Sequence, residues 1–384
     1  MMNHVCAPEK CKGCGLCQNI CPINCITLTY NAEGFLDPIK DLSQCIQCGL
    51  CSNRCIAEKI KVAPSADSTL YCAQSLDSEN ISNCTSGGIF GELAKVVIEK
   101  YSGVVYGAVY ENAFRVKHTR AETIQETLPM HYSKYVQSDT SGVYQSVKKD
   151  ILNSRTVLFT GTPCQVTALR SFLGKEYENL LCMDVLCHGV MSTNVLRDYI
   201  RYVLPSEQDL DNLDVCFRSK KIPQNNASFV ISRDSKILYY ESFYGTKEGI
   251  GRAFGGQFAN REVCTSCAFR ELGRYSDITV GDYVKENVPN TLSHSLVLVN
   301  TEKGNRFFEQ MSVEKRLLAD DERTFSLERV KRKVPQNKLR KRFFKMYTEQ
   351  GINETTTDLW KSKDPPLWRR ICLIFYKLLK RSQV

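Results

Sequence analysis

The chain of 384 residues is 42% hydrophobic and 24% charged, which is the balance of a globular protein with two or three domains. Its net charge of +9 is unevenly distributed, because residues 329–384 hold 16 Lys and Arg against 4 Asp and Glu while the preceding residues sum to −3. A slightly acidic body argues against a nucleic-acid-binding protein. The longest strongly apolar stretch near either end, at 371–376, is too short to span a bilayer.

The chain contains 19 cysteines. No apolar segment precedes the first cysteine motif, so we expect no secretory signal and a cytoplasmic protein. Because cytosolic thiols are kept reduced, the cysteines are interpreted as metal ligands rather than as disulfide partners.

Residues 1–60 are predicted to form a two-cluster ferredoxin-type domain. The segments "CKGCGLCQNIC" and "CIQCGLCSNRC" share the spacing C-x2-C-x2-C-x3-C. Three thiolates this close together fit three corners of one 4Fe–4S cluster, and in bacterial-type ferredoxins the fourth binds the other cluster. The pattern therefore assigns Cys11, Cys14, Cys17 and Cys55 to one cluster, and Cys45, Cys48, Cys51 and Cys21 to the second. Zinc, the alternative, is normally bound by two separated CxxC pairs. Cys25 is interpreted as a packing residue, and Cys6 is given no role.

The polar stretch at 61–79 is predicted to be a linker to a larger α/β domain at 80–328. Runs of β-branched residues at 102–110, 155–163 and 180–189 alternate with helix-like segments. This alternation indicates a largely parallel sheet.

Chemically versatile residues follow two of these strands. Thr162, Pro163 and Cys164 come after one strand, and Cys187 and His188 come after another. Ligands of open α/β sheets bind beyond the carboxyl ends of the strands, so we expect a site there.

Two further segments supply candidate binding residues. "CTSGGIFGEL" places Ser86, Gly87 and Gly88 directly before an apolar helix, where backbone amides either bind phosphate or simply begin the helix. "REVCTSC" supplies Cys264 and Cys267, which fit redox-active thiols, half a zinc site or half a cluster site.

Six segments together resemble the coenzyme F-420 hydrogenase/dehydrogenase beta-subunit family over about residues 80–310. They are "TSGGIFGEL", "SKYVQSD", "LFTGTPCQVTALRSFLGKEYENL", "CHGV", "REVCTSCAFR" and "RYSDITVGDY". With its fused ferredoxin unit the chain is similar to bacterial members, several of which sit among genes of polysaccharide synthesis or anaerobic redox metabolism.

The resemblance implies a flavoprotein. Members of the family bind FAD, which nominates as cofactor-binding residues Ser86, Gly87, Gly88, Ser133, Lys134, Tyr135, Gln137, Ser138, Thr162 and Pro163. Physical chemistry supports Lys134 separately, because a cation stabilises negative charge on a flavin ring or pyrophosphate.

The resemblance also implies a third 4Fe–4S cluster beside the flavin. The family's ligands map onto Cys164, Cys187, Cys264 and Cys267, with Cys182 as a competitor for the place of Cys187. The remaining cysteines are interpreted as buried small hydrophobes, namely Cys72, Cys84, Cys216 and Cys372.

The predicted fold class is therefore α+β and α/β: a bacterial ferredoxin-like domain, an α/β flavin-binding domain and a helical, basic C-terminal tail at 329–384. His188 is the candidate catalytic proton donor, with His131 a weaker one, although a histidine beside a cluster ligand commonly serves as a hydrogen-bond donor. Asp277 and Asp282 are interpreted as structural or cofactor-adjacent rather than as an acid/base pair.

The predicted function is an iron–sulfur flavoprotein oxidoreductase that passes electrons between ferredoxin-type clusters and FAD. Its substrate would be a small molecule of surface-polysaccharide or anaerobic metabolism, and its electron partner ferredoxin or another one-electron carrier. The alternative is an electron-transfer subunit of a larger hydrogenase or dehydrogenase complex, F-420-linked ones included.

The last segment, 366–381, would form a basic amphipathic helix, with Arg370, Lys377 and Arg381 opposite an apolar side. Such a helix suits an anionic membrane surface, here the inner face of the membrane. The alternative is a terminal helix docked on its own domain or on a second copy in a homo-oligomer. No nucleic-acid partner is expected.

Overall fold

The computed structural model describes residues 4–57, 68–222, 227–243, 249–270, 275–284, 293–331 and 338–353. These residues form a small N-terminal unit, a body with a nine-stranded sheet, and a separate three-stranded sheet. Within these ranges, no helix has the length and apolar character needed to cross a membrane.

The N-terminal unit is a β-hairpin with two short helices that lie inside the cysteine runs. Its elements are α1 (Leu16–Ile20), β1 (Ile26–Tyr30), β2 (Leu36–Lys40) and α2 (Leu50–Asn53). Each helix begins after a glycine with left-handed backbone, Gly15 at φ 76° and Gly49 at φ 73°. Glycine adopts this conformation without a steric penalty, so each cysteine run can turn sharply into its helix.

The body begins with the first strand after residue 67, and its elements follow in chain order. Its elements are β3 (Thr69–Ser75), α3 (Ser78–Ser82), α4 (Ile89–Lys95), β4 (Val104–Tyr110), β5 (Val116–Ala121), α5 (Ile124–Thr127), β6 (Ser138–Asp139), α6 (Val143–Leu152), β7 (Val157–Gly161), α7 (Pro163–Leu173), β8 (Leu180–Val185), α8 (Thr193–Val203), β9 (Asp214–Ser219), β10 (Ser228–Arg233), β11 (Lys236–Ser242), α9 (Ile250–Gly255), β12 (Ile278–Asp282), β13 (Ser295–Val299), α10 (Glu302–Phe308), β14 (Val313–Leu317), α11 (Asp320–Lys331) and α12 (Lys338–Gln350). The large sheet has the order β14-β3-β13-β12-β8-β7-β4-β5-β6, and β9 to β11 form the small antiparallel sheet.

The large sheet is mixed, which corrects the prediction of a largely parallel sheet. Strands β12, β8, β7 and β4 are parallel neighbours, as are β5 and β6. The other four pairings, including the hairpin from β4 to β5, are antiparallel. A hairpin adds an antiparallel strand without a crossover helix, and the alternation of strand and helix signals does not reveal it.

The predicted linker at 61–79 is also corrected. Residues 69–75 form β3, which pairs antiparallel with both β13 and β14. Leu70, Ala73 and Ser75 on this strand are buried. The small and polar residues of the stretch obscured this pattern of buried positions.

The first part of the basic tail is a helix docked on the protein itself. On α12, Phe343 and Phe344 are buried, and the Phe344 ring lies 6.0 Å from that of Phe35 in the N-terminal unit. Arg340 Nε donates to the Asn260 carbonyl at 2.6 Å. The predicted amphipathic helix at 366–381, for which docking was the alternative, lies outside the described residues.

Candidate functional site

Two cavities in the N-terminal unit collect the eight cysteines of the repeated motif. The first cavity, of about 360 Å³, is lined by Cys6, Cys11, Cys14, Cys17 and Cys55. The second cavity, of about 310 Å³, is lined by Cys21, Cys25, Cys45, Cys48 and Cys51. Each cavity thus contains three cysteines of one run and the fourth cysteine of the other run, the exchange predicted from the spacing.

The thiols of the first cavity are close enough that their negative charges would repel one another if all of them were deprotonated. Burial raises the pKa of Cys14 and Cys17, and neighbouring cysteines raise both further. The Cys11 thiol shows the opposite shift, because contact with Cys6, and then the Arg261 charge and the Gly13 amide, lower its pKa to about 7. Thiolates gathered in such a place need a metal's positive charge, so this donor set fits an iron–sulfur cluster.

A buried arginine ties the N-terminal unit to the body. Arg261 donates from Nε to the Cys11 carbonyl at 2.8 Å and from Nη1 to the Leu36 carbonyl at 3.0 Å, and it pairs with Asp37. Its Nη1 also donates to Gln137 Oε1 at 3.1 Å. The arginine that precedes the late CxxC in the sequence therefore holds the first cysteine run against the body.

Gln137, a predicted flavin residue, serves the same contact. Its Nε2 donates to the carbonyls of Gly13 at 2.7 Å and Lys12 at 2.9 Å. A Cβ on Gly13, whose φ is 59°, would lie 2.1 Å from this nitrogen, so only glycine fits there. Both ends of the Gln137 amide are thus used in the contact with the N-terminal unit.

The backbone of Cys14 is fixed by a second pair of body side chains. The Tyr144 hydroxyl donates to the Cys14 carbonyl at 2.6 Å, and Thr140 Oγ1 donates to the same oxygen at 3.1 Å. Cys14 and Cys164 pack against the same apolar cluster, and a negative charge on Cys164 would raise the pKa of Cys14 further. The first cavity is therefore next to the predicted ligands of the body.

The structure brings together the four cysteines that the resemblance proposed, here called the body cysteine group: Cys164, Cys187, Cys264 and Cys267. Burial raises the pKa of Cys187, and the three other members raise it further. Burial raises the pKa of Cys164 to about 12, with added effects of Cys267 and Cys264. Since these residues come from α7, the loop after β8 and a turn before β12, the fold alone assembles the group.

The surroundings of the body cysteine group hold its sulfurs in place. Thr162 Oγ1 lies 3.1 Å from Cys164 Sγ, and the Gly189 amide donates to Cys187 Sγ at 3.4 Å. Pro163 is the first residue of α7, where its missing N–H costs nothing. Thr162 and Pro163 thus lie at the cysteine group.

Cys182, the competitor for the place of Cys187, lies elsewhere. It is fully buried within β8, and its amide donates to Asp277 Oδ2 at 2.8 Å. Among the described residues, no three His, Cys, Asp or Glu side chains converge tightly enough for one metal ion. A cubane cluster needs a wider arrangement, because each thiolate binds a different iron.

The glycine turn of the sequence packs against the large sheet. The Gly87 amide donates to Ser295 Oγ at 2.9 Å, and Ser86 Oγ donates to the His294 carbonyl at 2.7 Å. Gly88 precedes α4, and its carbonyl accepts from Asn80 Nδ2 at 2.9 Å. These contacts favour the interpretation that the motif begins a helix over the interpretation that it binds phosphate.

The segment with Ser133, Tyr135 and Ser138 lies beside this turn. The Ser133 amide donates to Thr85 Oγ1 at 2.8 Å. Tyr135 stacks on Phe243 with ring centroids 5.1 Å apart. Ser138 Oγ lies 2.7 Å from His118 Nδ1, a buried histidine that sequence reasoning missed.

Three cations, here called the cationic group, lie near the turn: Lys134, Arg218 and Lys220. Lys134 Nζ donates to the His131 carbonyl at 2.7 Å, and burial lowers its pKa to about 7. Lys220 Nζ donates to the Ser86 carbonyl at 2.6 Å, and burial lowers its pKa as well. Arg218 pairs with Asp282 at 2.8 Å and donates to the Tyr135 hydroxyl at 3.2 Å. Partly desolvated cations of this kind suit an anionic ligand.

Sequence reasoning missed Arg218 and Lys220. Both lie at the end of β9, a strand that was not predicted, and the only signal was the short basic run "RSKK". Arg218 has a left-handed backbone with φ 57°, uncommon for a residue with a Cβ.

The predicted acid/base residues fall into different environments. His188 is exposed beside Cys187, and its carbonyl accepts from Gln257. His131 is buried against Phe90, and burial, then the Lys134 charge, lower its pKa to about 4. His131 is therefore neutral at physiological pH.

The two aspartates agree with the preferred interpretation of their roles. Asp277 is buried and accepts from Arg170, Thr301 and the Cys182 amide, which makes it a structural residue. Asp282 faces the cationic group through its pair with Arg218.

The remaining cysteines differ in their burial. Cys72 and Cys84 are buried as expected, whereas Cys216 is only partly buried. Cys372 lies outside the described residues.

Comparison with known proteins agrees with these two regions. A family model for the C-terminal part of the coenzyme F-420 hydrogenase/dehydrogenase beta subunit matches residues 154–324, and a 4Fe–4S dicluster domain matches residues 10–58. Residues 154–324 thus carry the C-terminal domain of this beta-subunit family, and residues 10–58 carry a 4Fe–4S dicluster domain. The resemblance seen in the sequence is thereby confirmed.

Among solved structures, the chain is similar to a chain of the F-420-reducing NiFe hydrogenase complex from Methanosarcina barkeri, determined as a xenon derivative. The two are 17% identical with a TM-score of 0.50, over 75% of this chain and 94% of that chain. At this identity the similarity concerns the fold. No curated protein matches the chain significantly.

These findings make the chain an iron–sulfur protein of the electron-transfer type within an oxidoreductase family. The dicluster match supports the iron–sulfur reading of the repeated motif over the zinc alternative. The assignment of individual ligands stays a prediction, as do the flavin and the third cluster.

Proposed function

We propose that the chain is an oxidoreductase subunit that carries electrons between its N-terminal clusters and FAD in the body, by way of a third 4Fe–4S cluster. The main support is that Cys14 of the first cavity and Cys164 of the body cysteine group pack against the same apolar cluster, near enough for their charges to interact. Iron–sulfur clusters carry single electrons, and a flavin exchanges one or two. The chain's own contribution is to hold these groups close together.

The contact between the two regions supports this role. Arg261 and Gln137 hold the first cysteine run, and Tyr144 fixes the backbone of Cys14. Charge-assisted and buried hydrogen bonds of this kind keep a short distance constant. The N-terminal unit thus acts as a fixed part of the body.

The second cavity would face an external carrier. Cys48 is exposed, and Ile46, which also lines this cavity, is 61% exposed. A cluster held there would be accessible from outside, so we assign the exchange with ferredoxin or another one-electron carrier to this end. The first cavity, in contrast, is in contact with the body through Arg261 and Tyr144.

The body cysteine group fits a third cluster. Cys187 interacts electrostatically with the other three thiols, and Thr162 and the Gly189 amide offer hydrogen bonds to two of the sulfurs. Hydrogen bonds to cluster sulfurs influence the reduction potential. Cys164, Cys187, Cys264 and Cys267 would be its ligands.

The cationic group supports a flavin site. Lys134, Arg218 and Lys220 lie close to Ser86, Ser133 and Tyr135, which the family resemblance nominates. Their positive charge would stabilise the anionic pyrophosphate or reduced ring of FAD. Gln137 is better explained by its contact with Gly13.

Metal and flavin analysis of the anaerobically purified chain tests the proposal. We expect about twelve irons and one FAD per chain, since three four-iron clusters require twelve irons. The Cys164→Ser variant should lose about four irons while keeping the N-terminal clusters, and ferredoxin-driven flavin reduction should stop. Cys182→Ser is the matched control, because Cys182 is a buried cysteine of the body that is not assigned as a ligand. About eight irons and no flavin in the unmodified chain would overturn the proposal for the body.

A second candidate is a subunit of a larger hydrogenase or dehydrogenase complex. It is favoured by the fold shared with a chain whose structure is titled as part of a hydrogenase complex. Affinity purification of the full chain from its natural cells, followed by native mass measurement, tests it. Stoichiometric co-purification of a second redox protein supports the complex, and a chain that alone reduces a small molecule supports a separate enzyme.

The small-molecule substrate, its place in surface-polysaccharide or anaerobic metabolism, the homo-oligomer and the membrane contact at 366–381 stay predictions. Liposome flotation of the full chain and of residues 1–353 tests the membrane contact. Equal flotation of the two would contradict it.

A further inference from the structure

Each N-terminal cavity contains one cysteine more than a cluster can use. A four-iron cluster takes one thiolate at each iron, four in all. The first cavity is lined by five cysteines, with Cys6 in excess, and the second by five, with Cys25 in excess. Sequence spacing gave neither residue a ligand role.

Cys25 lies at the same corner of the second cavity as Cys21. The two sulfurs are 3.5 Å apart, and Cys25 is buried. A turn through Asn24, whose backbone is left-handed at φ 55°, brings them together, and β1 begins directly after Cys25. Because Fe–S bonds diverge outward from a cubane, two sulfurs in van der Waals contact compete for one iron.

Cys6 has the corresponding position in the first cavity. It makes side-chain contact with Cys11 and Cys55. Those are the first ligand of one run and the fourth ligand donated by the other run. Cys25 likewise contacts Cys21, a donated fourth ligand, and Cys45, the first ligand of its run.

The two extra thiols come from unrelated positions in the motif. Cys6 precedes the first run, whereas Cys25 follows it and has no counterpart cysteine after the second run. Each nevertheless interacts with the donated fourth ligand of its cavity, as well as with the first ligand there. The fourth ligand is the one in each cluster that comes from a different run, so its position depends on how the two runs fold together.

We infer that the fourth corner of each N-terminal cluster has two alternative ligands: Cys21 or Cys25 in the second cavity, and Cys55 or Cys6 in the first. In an exchange, one Fe–S bond breaks and one forms. The proton released by the incoming thiol goes to the departing thiolate, so no electron is gained or lost. The spare thiol preserves a four-iron cluster when the usual corner ligand is lost.

Comparison of Cys21→Ser with Cys48→Ser in the full chain tests this inference. Cys48 is exposed, whereas the sulfur of Cys25 lies 3.5 Å from that of Cys21, so Cys48 is the matched control. We expect Cys21→Ser and Cys25→Ser each to keep the iron and sulfide content of the unmodified chain. Cys48→Ser and the double variant Cys21→Ser/Cys25→Ser should lose at least one iron and show a three-iron signal in electron paramagnetic resonance of the oxidised protein.

Loss of iron in Cys21→Ser equal to that in Cys48→Ser, with none lost in Cys25→Ser, would overturn the inference and leave Cys25 as a packing residue. Intact iron content in the double variant would overturn it as well. The iron of the first cavity reports whether the N-terminal unit is still folded. The same comparison of Cys55→Ser with Cys17→Ser tests Cys6.

Alkylation of the unmodified holoprotein gives a result that does not depend on the folding of a variant. Slow reaction with iodoacetamide, followed by peptide mass analysis, shows which thiol of each pair is free. Two populations, one alkylated at Cys21 and one at Cys25, support exchange. Alkylation confined to Cys25 would show a fixed ligand set and contradict it.

Discussion

The N-terminal cavities and the body cysteine group both collect thiols, but they do so by different means. In each cavity, three cysteines lie within seven consecutive residues, and a glycine at the start of a short helix turns them inward. The body cysteine group draws Cys164, Cys187 and the Cys264/Cys267 pair from segments far apart in the chain, and a sheet must form before they meet. A site built from local spacing can be read from sequence, whereas a site built across a sheet depends on packing.

The contact between the N-terminal unit and the body depends on packing in the same way as the body cysteine group. Backbone carbonyls of the first cysteine run accept hydrogen bonds from Arg261, Gln137 and Tyr144 of the body. Backbone acceptors are present in any sequence, so the specificity of the contact comes from these body side chains and from Asn19 and Asp37 of the N-terminal unit.

The largest effect is expected from Arg261→Met. Removing this buried charge leaves Asp37 and three hydrogen-bond acceptors without their partner, at a cost of about 3–5 kcal/mol in the free energy of unfolding. Urea denaturation of the anaerobic protein measures it. The control Arg306→Ala, which breaks an exposed ion pair with Glu178, should cost less than about 1 kcal/mol. Similar losses in the two variants would show that the N-terminal unit is not held by Arg261.

An intermediate effect is expected at Lys134, which concerns the body alone. Its pKa of about 7 lies below the ordinary value because of burial, so the amine gains its proton as the pH falls through about 7. Affinity for an anionic flavin should therefore rise at lower pH. In Lys134→Met this pH dependence should disappear, and affinity at pH 6 should fall about tenfold, or ~1.4 kcal/mol.

Flavin fluorescence titration between pH 6 and pH 8 checks the prediction. Lys117→Met is the control, since Lys117 is exposed and pairs with Glu111 at 3.2 Å. A Lys134→Met curve with unchanged pH dependence would remove Lys134 from the flavin site.

The smallest effect is expected from Tyr144→Phe. The variant loses the 2.6 Å hydrogen bond to the Cys14 carbonyl, which retains Thr140 as a donor, so stability should fall by about 0.5–1.5 kcal/mol. Tyr106→Phe loses a hydrogen bond of equal length to the Asp150 carboxylate within the body and should cost about 1.5–3 kcal/mol. Rapid-mixing measurement of electron transfer separates them, because only Tyr144→Phe should slow reduction of the body. Equal rates in the two variants would contradict a role for Tyr144 in the contact.

Several strands were predictable because, like the two cavities, they depend on residues that are close together in the sequence. The β-branched runs before Thr162 and Cys187 are β7 and β8, and both lie in the parallel middle of the sheet. The strand β3 was missed because its buried positions are occupied by small residues such as Ala73 and Ser75 as well as by Leu70. The hairpin of β4 and β5 was missed because local patterns indicate a strand but not the direction of its partner.

The sequence by itself determined the two cysteine runs, the way each cavity combines cysteines of both runs, and the family of the body. These depend on residues a few positions apart, whose geometry the backbone sets directly. Only the tertiary structure decided that Gln137 holds the first cysteine run, that Arg218 and Lys220 join Lys134, and that Cys6 and Cys25 line the same cavities as the predicted ligands. Such contacts join distant segments, and they arise when apolar packing brings the sheet, its loops and the N-terminal unit together.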